Sequence, residues 1–178
     1  AIELDLQYPL PKHSETISLD AARGRVLASS LASKVDDPRF DNSAMDGFAV
    51  IASDCQSTGA ELTIVGTSQT GGETPPSIAS GQACRIMTGA PLPEGADAIV
   101  MVEDTEVNQD QVTINGPART RYIRKRAENL SIGQEALPAG TLLSSASIAL
   151  AGTMGHGEVE AIKKPRIAIL STGDELVQ

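Results

Sequence analysis

Sixteen glycines and ten prolines interrupt a chain of 178 residues and break it into short pieces. Glycine takes the positive-φ positions of turns without steric cost, and proline removes a backbone donor from helix or ladder. Most of the pieces between them read as strands. Phe48 to Ala52, Glu61 to Thr67, Ala83 to Thr88 and Ala98 to Glu103 are the main candidates, with Arg25 to Ala32 before them. Thr105–Val107 and Gln111–Ile114, joined by Asn108-Gln109-Asp110, have the form of a hairpin. Gly/Pro-rich connections run over Thr70–Pro76, Gly89–Gly95 and Asn115–Pro117, and Asp36-Asp37-Pro38 reads as a turn. A strand about every dozen residues points to a β-barrel or sandwich-like module. Helices are few and short. Ser18 is placed to cap one ending at Gly24, and Ser145 or Ser147 to cap another ending at Gly155 or Gly157.

With no Trp and only Tyr8, Tyr122, Phe40 and Phe48 aromatic, the core must be aliphatic. Against 14 basic residues stand 23 acidic ones, a net charge of −9. That field repels phosphate polymers, so no nucleic-acid partner is expected. No apolar run approaches the length of a membrane span, and no basic-then-apolar signal peptide opens the chain. Neither a membrane partner nor export is therefore expected, and the location implied is cytoplasmic. Cys55 and Cys84 lie far apart and only two histidines are present, which argues against a disulfide framework or a zinc site.

After Glu128 the pattern changes to short extended pieces, a helix and a strand over Val159–Ile162. Lys163-Lys164-Pro165 reads as a linker. Beyond it Ile167-Ala168-Ile169-Leu170 is continuously apolar, as in a parallel strand covered on both faces. Ser171 to Leu176 then has the form of a strand-to-helix loop at the start of an α/β domain. The expectation is a fragment whose third domain is cut after one strand.

Three segments carry candidate chemistry. Phe40 to Val50 holds Asp41, Asn42, Ser43 and Asp46 just ahead of an apolar strand; it is either a capped turn or a carboxylate facing a metal or substrate. Arg85 to Gly95 runs from a strand into a Gly/Pro loop, either a plain turn or a nest of N–H groups for an anion. Arg119, Arg121, Arg124, Lys125 and Arg126 put five basic residues within eight positions of an acidic chain. They are either a solvated strand edge or a site for a small oxyanion.

These segments identify a family. Phe40–Val50, Arg85–Pro91, Val100–Thr105 and Ser171–Leu176 resemble, in order, the motifs of the molybdopterin molybdenumtransferases, the family of bacterial MoeA and the gephyrin E domain. The resemblance implies insertion of molybdenum from molybdate into adenylated molybdopterin, with release of AMP and dependence on Mg²⁺. It implies a homodimer, and a molybdopterin adenylyltransferase as upstream partner. The fold it implies is mostly β with a few short helices (α+β). Residues 1–40 and 126–164 would form an elongated domain of small sheets, 41–125 an inserted β-barrel-like domain, and 165–178 the first strand of a truncated α/β domain.

Carried onto this chain, the catalytic positions are Asp46, Thr88 and Glu175, with Asp46 and Glu175 also the metal ligands. Arg124, Arg126, Asn129 and Ser43 are the positions for contacts to the pterin cofactor substrate. One segment departs from the family: Arg124 to Asn129 carries Ala127 for the usual glycine and Asn129 for the usual acid. A gephyrin-like scaffold module and a tungstate-specialised relative are the alternative functions.

Overall fold

The structure, a computed structural model, describes residues 13–166 and 168. Its strands, in chain order, are β1 (Ser14–Ser18), β2 (Leu31–Ala32), β3 (Asn42–Ser43), β4 (Gly47–Val50), β5 (Ala60–Ser68) and β6 (Gln82–Ile86). They continue with β7 (Ala98–Met101), β8 (Thr105–Asn108), β9 (Gln111–Ile114), β10 (Ile123–Arg124), β11 (Glu135–Leu137) and β12 (Glu158–Ile162). One α-helix, α1 (Ser145–Thr153), joins them among the described residues. The fold is mostly β, as the short pieces required. No helix of the described residues is long and apolar enough to cross a membrane. The expected strand at Arg166–Leu170 and the Ser171–Leu176 loop lie largely outside the described residues.

The chain divides into two compact units, Val35–Gln134 and the two segments flanking it. In the flanking unit β1 pairs antiparallel with β12, and β2 with β11. Leu27, Leu31, Leu137, Leu143, Ala151 and Val159 close its aliphatic core. Three readings change here. Arg25–Ala32 is no continuous strand, because Val26 and Leu27 bridge separately to Leu142 and Ala161 before β2 begins. The Ser18 side chain caps nothing; Leu19–Ala21 is a single 3-10 turn, and Gly24 follows it at φ 73°. The cap of α1 is Ser144, whose Oγ accepts from the Ser147 N–H, one residue before the expected position. A run of serines offers several equivalent caps to a reader of sequence, and the backbone selects one.

The Val35–Gln134 unit is built on a curled six-stranded sheet in the order β7-β4-β6-β5-β9-β8. β4 is the strand from which it is organised, with β6 on one side and β7 on the other, and all four of its residues are buried. Its alternation sends Phe48 and Val50 into a core with Leu62, Val100, Val112 and Ile114, while Ala49 joins Cys84, Ile86 and Ile99 on the opposite face. At Gly47 any Cβ would collide with the Val100 carbonyl oxygen, so only glycine admits β7 at this distance. β5 and β6 run parallel, linked by an irregular crossover over residues 69–81. The β8–β9 hairpin forms as read, its turn relieved by Gln109 at φ 55°. The Ala98–Glu103 strand ends earlier, at Met101, where Val102–Asp104 winds into a 3-10 turn.

The segments by which the chain enters and leaves this unit lie side by side, with Asp37 bridged to Leu130 and β3 paired with β10. Ala127 sits in this seam at φ 60°, the left-handed conformation that disfavours any side chain. The glycine that the resemblance implies at this position would meet no such penalty. Ala127→Gly should therefore raise stability by about 1 kcal/mol, read from chemical denaturation. Gly47→Ala, measured the same way, should cost several times more in the opposite direction.

Candidate functional site

Asp46 immediately precedes β4, and its carbonyl still accepts from the Val102 N–H. Thr88 follows β6, the neighbour of β4. The sheet thereby brings together two residues 42 positions apart. Asp46 Oδ1 accepts twice from Thr88, from its N–H at 2.7 Å and from its hydroxyl at 2.8 Å. Both residues are exposed. The Thr88 N–H, then its hydroxyl, then the positive charge of Arg85 hold the Asp46 carboxyl below the ordinary carboxylate range. A carboxylate fixed through one oxygen leaves the other, Oδ2, without a hydrogen-bond partner among the described residues.

The loop after Thr88 does not form the anion nest that its composition allowed. Met87 donates its N–H to Ser68, Gly89 to Ser43, Ala90 to Met87 and Leu92 to Asp41, all through carbonyl oxygens. Thr88's own N–H is spent on Asp46. The loop's donors are consumed in holding it against the Asp41–Asp46 segment. Thr70 adds to this by donating its hydroxyl to the Thr88 carbonyl at 3.2 Å. Ser43 is buried, and its hydroxyl closes a turn with the N–H and carbonyl of Met45. That hydroxyl shapes the approach to Asp46 and is turned inward.

Three members of the basic cluster, Arg124, Lys125 and Arg126, are likewise tied down. Lys125 Nζ lies 2.7 Å from Asp41 Oδ2, and Arg126 Nε 2.6 Å from Asp36 Oδ2. The Arg126 N–H donates to Asp41 and the Ile132 N–H to Asp36. Arg124 faces Glu128 at 3.7 Å, and Asn129 donates its amide to Asp37 at 2.9 Å. Asp36-Asp37 and Asp41, read from sequence as turn acids, are the counter-charges of this clamp. Complementary blocks of opposite sign were the available signal, and only pairing in space connects them. Arg121 lies over the Tyr122 ring at 5.3 Å, a cation–π contact. Arg85, a residue named in sequence only as part of a motif, stands exposed on β6 beside this site.

Other candidates are quiet. Burial pushes the Cys55 thiol up to about 11, with Asp54 and Asp97 adding to the effect, so it is a poor nucleophile. His156 donates to the Ala32 carbonyl from Nε2 at 2.8 Å. No group of three metal-ligating side chains occurs among the described residues. Glu175, the second expected ligand, lies outside them.

Two outcomes follow. Thr88→Val should raise the Asp46 pKa part of the way to its ordinary value, since the main-chain donor persists, and Thr88→Ser should leave it low; carboxyl ¹³C NMR titration reads both. The clamp has a pH signature as well. Asp36 is held below the ordinary 3.8 first by the Ile132 N–H and then by Arg126, and Asp41 first by Lys125 and then by the Arg126 N–H. Near pH 3–4 the unfolded chain thus binds more protons than the folded one. Their stabilisation is complete above 3.8 and is lost as the pH falls through the lowered values. Melting temperatures should drop with acidification in this range, and the Asp36→Asn, Asp41→Asn double variant should flatten that slope.

Comparison with known proteins identifies the family. Residues 1–155 match the family model described as the MoeA N-terminal region, domains I and II. The molybdopterin molybdenumtransferase of Haemophilus influenzae is 38% identical over 174 residues, which cover 97% of this chain and 43% of that protein. Its counterpart from a Nostoc species is 40% identical over 169 residues, covering 92% of this chain and 39% of the relative. A crystal structure titled as the molybdopterin biosynthesis MoeA protein of Pyrococcus horikoshii superposes with a TM-score of 0.79 at 29% identity, covering 86% of this chain and 42% of that one. The chain thus spans about two fifths of the length of the curated relatives it matches. Motifs, sheet and matched residues agree, and the chain belongs to the family of the MoeA N-terminal region.

Proposed function

We propose that this chain is the N-terminal part of a molybdenum insertase, which transfers molybdenum from molybdate into adenylated molybdopterin and releases AMP. The observation that carries the reading is the Asp46–Thr88 pair: an exposed carboxylate, kept ionised, fixed through Oδ1 and open at Oδ2. Relatives at 38–40% identity named for that transferase support the choice of reaction.

The donor set suits Mg²⁺ in one particular way. This ion keeps most of its waters and is held by one or two carboxylates together with substrate phosphates, rather than by an all-protein cage. A single open carboxylate oxygen meets that requirement, and Asp46 Oδ2 would be the ligand from this region. When bound, the ion supplies Lewis-acid stabilisation of a departing phosphate.

Thr88 orients and keeps deprotonated the carboxylate that receives the ion. That role replaces direct contact with phosphate, because both of its donors already point at Asp46. Arg126 and Asn129, in turn, tie the leaving segment to Asp36 and Asp37 of the entering one, while Arg124 faces Glu128 within the leaving segment. Glu175 as a second ligand, and a homodimeric parent protein, complete the proposal.

The test is Asp46→Asn in the full-length protein, assayed for AMP release from adenylated molybdopterin with molybdate and Mg²⁺. The substitution preserves size and removes one charge, so the melting temperature should hold while AMP release falls by at least a hundredfold, the loss of a few kcal/mol of barrier. A variant as active as the wild type overturns the assignment.

A further inference from the structure

Some cations of the Val35–Gln134 unit are paired and others are not. Lys125, Arg126 and Arg124 each face a carboxylate. Arg39, Arg119 and Arg121 are exposed and take part in no ion pair among the described residues, and neither does Arg85, which alone of the four sits on β6, the strand paired with β4 next to Asp46. The β4–β6 register pairs Gly47 with Ile86 and Phe48 with Arg85. Side chains alternate along each strand, so Asp46, two residues before Phe48, stands on the same face as Arg85 and diagonal to it. Such diagonal neighbours lie roughly 7–8 Å apart, within reach of a long side chain. The two do not form an ion pair. A fixed carboxylate and a guanidinium held by no ion pair, both exposed, therefore stand on one face of neighbouring segments.

We propose that Arg85 and Asp46 form a two-pronged subsite for a Mg²⁺-bound phosphoryl group, in which the Arg85 guanidinium takes the phosphate oxygens and Asp46 Oδ2 takes the cation. This rests on the reading of Asp46 given above and deepens it by naming the anion-binding half. The loop after Thr88 cannot supply that half, since its N–H groups end on Ser43, Asp46, Met87 and Asp41. Guanidinium is the chemistry suited to it, being permanently charged and forked to meet two oxygens at once. Neither prong alone is selective: Asp46 repels a bare anion and Arg85 repels a bare cation. The pair favours the metal–phosphate complex over either component.

The experiment titrates the 178-residue chain with inorganic pyrophosphate, with and without Mg²⁺, by calorimetry and by amide NMR. The wild type should bind more tightly when Mg²⁺ is present, with shifts centred on Arg85 and Thr88. Arg85→Gln should weaken binding at least tenfold in both conditions, while Arg85→Lys retains part of it. Asp46→Asn should abolish the Mg²⁺ enhancement and leave the Arg85-dependent binding in place. Absence of pyrophosphate binding by the wild type, or equal affinity in Arg85→Gln, overturns the subsite. Arg121→Gln, which removes an exposed arginine of the basic cluster, should change nothing; a loss equal to that of Arg85→Gln would place the anion elsewhere. The outcome is independent of the AMP-release assay. Intact Arg85-dependent binding in a protein that inserts no molybdenum would remove the enzymatic reading and keep the subsite.

Discussion

Everything distinctive about the Val35–Gln134 unit depends on β4 being threaded between β6 and β7. The close approach of Gly47 to the Val100 carbonyl permits it, and the burial of Phe48, Ala49 and Val50 on two opposed faces makes it favourable. Once β4 is in place, the chain on either side of it has little freedom. The Asp41–Asp46 segment receives the N–H groups of Thr88, Gly89 and Leu92. The site is thus a by-product of sheet closure: backbone donors that must find acceptors after β6 ends find them on the segment that enters β4.

The electrostatics of the unit divide along the same lines. An acidic chain concentrates five basic residues in one short stretch, yet three of them are spent on Asp36, Asp41 and Glu128. Exposed pairs of this kind contribute little individually. Their value lies in combination with the backbone bonds to Asp36 and Asp41, which lock the entering segment onto the leaving one. Charge density in the sequence therefore marks an architectural seam, whereas the arginine beside Asp46, Arg85, lies outside that dense stretch.

Much of the fold was legible because strands were bounded by strong punctuation. The β8–β9 hairpin, β5, β6 and β12 fall where alternation and turns placed them, within a residue or two. What was not legible was long-range. Nothing local distinguishes Ser144 from its neighbouring serines, and nothing in Arg25–Ala32 announces that its partners change from Leu142 and Ala161 to β11. The same holds at the site. Asp46 and Thr88 were named through the family's motifs, but the destination of the loop's N–H groups depends on sheet order, which residue spacing does not encode. Arg85 drew no role of its own from the sequence because what matters is its place on β6 beside the segment that enters β4, which sheet order supplies.

The division of the chain has a consequence for how it is made. β1 finds its partner only in β12, with Ser14 opposite Ile162, whereas the pairs of the Val35–Gln134 unit all lie within that continuous stretch. During synthesis the continuous unit can close as soon as its last residues emerge, while the first strand of the flanking unit waits until β12, some 148 residues after Ser14, has been translated. At about 5–20 residues per second that delay is roughly 7–30 s. For that interval Ile17, Leu19, Ala22, Leu27 and Leu31 are an aliphatic segment with no core to enter, the part of the nascent chain most exposed to chaperones and to misassembly.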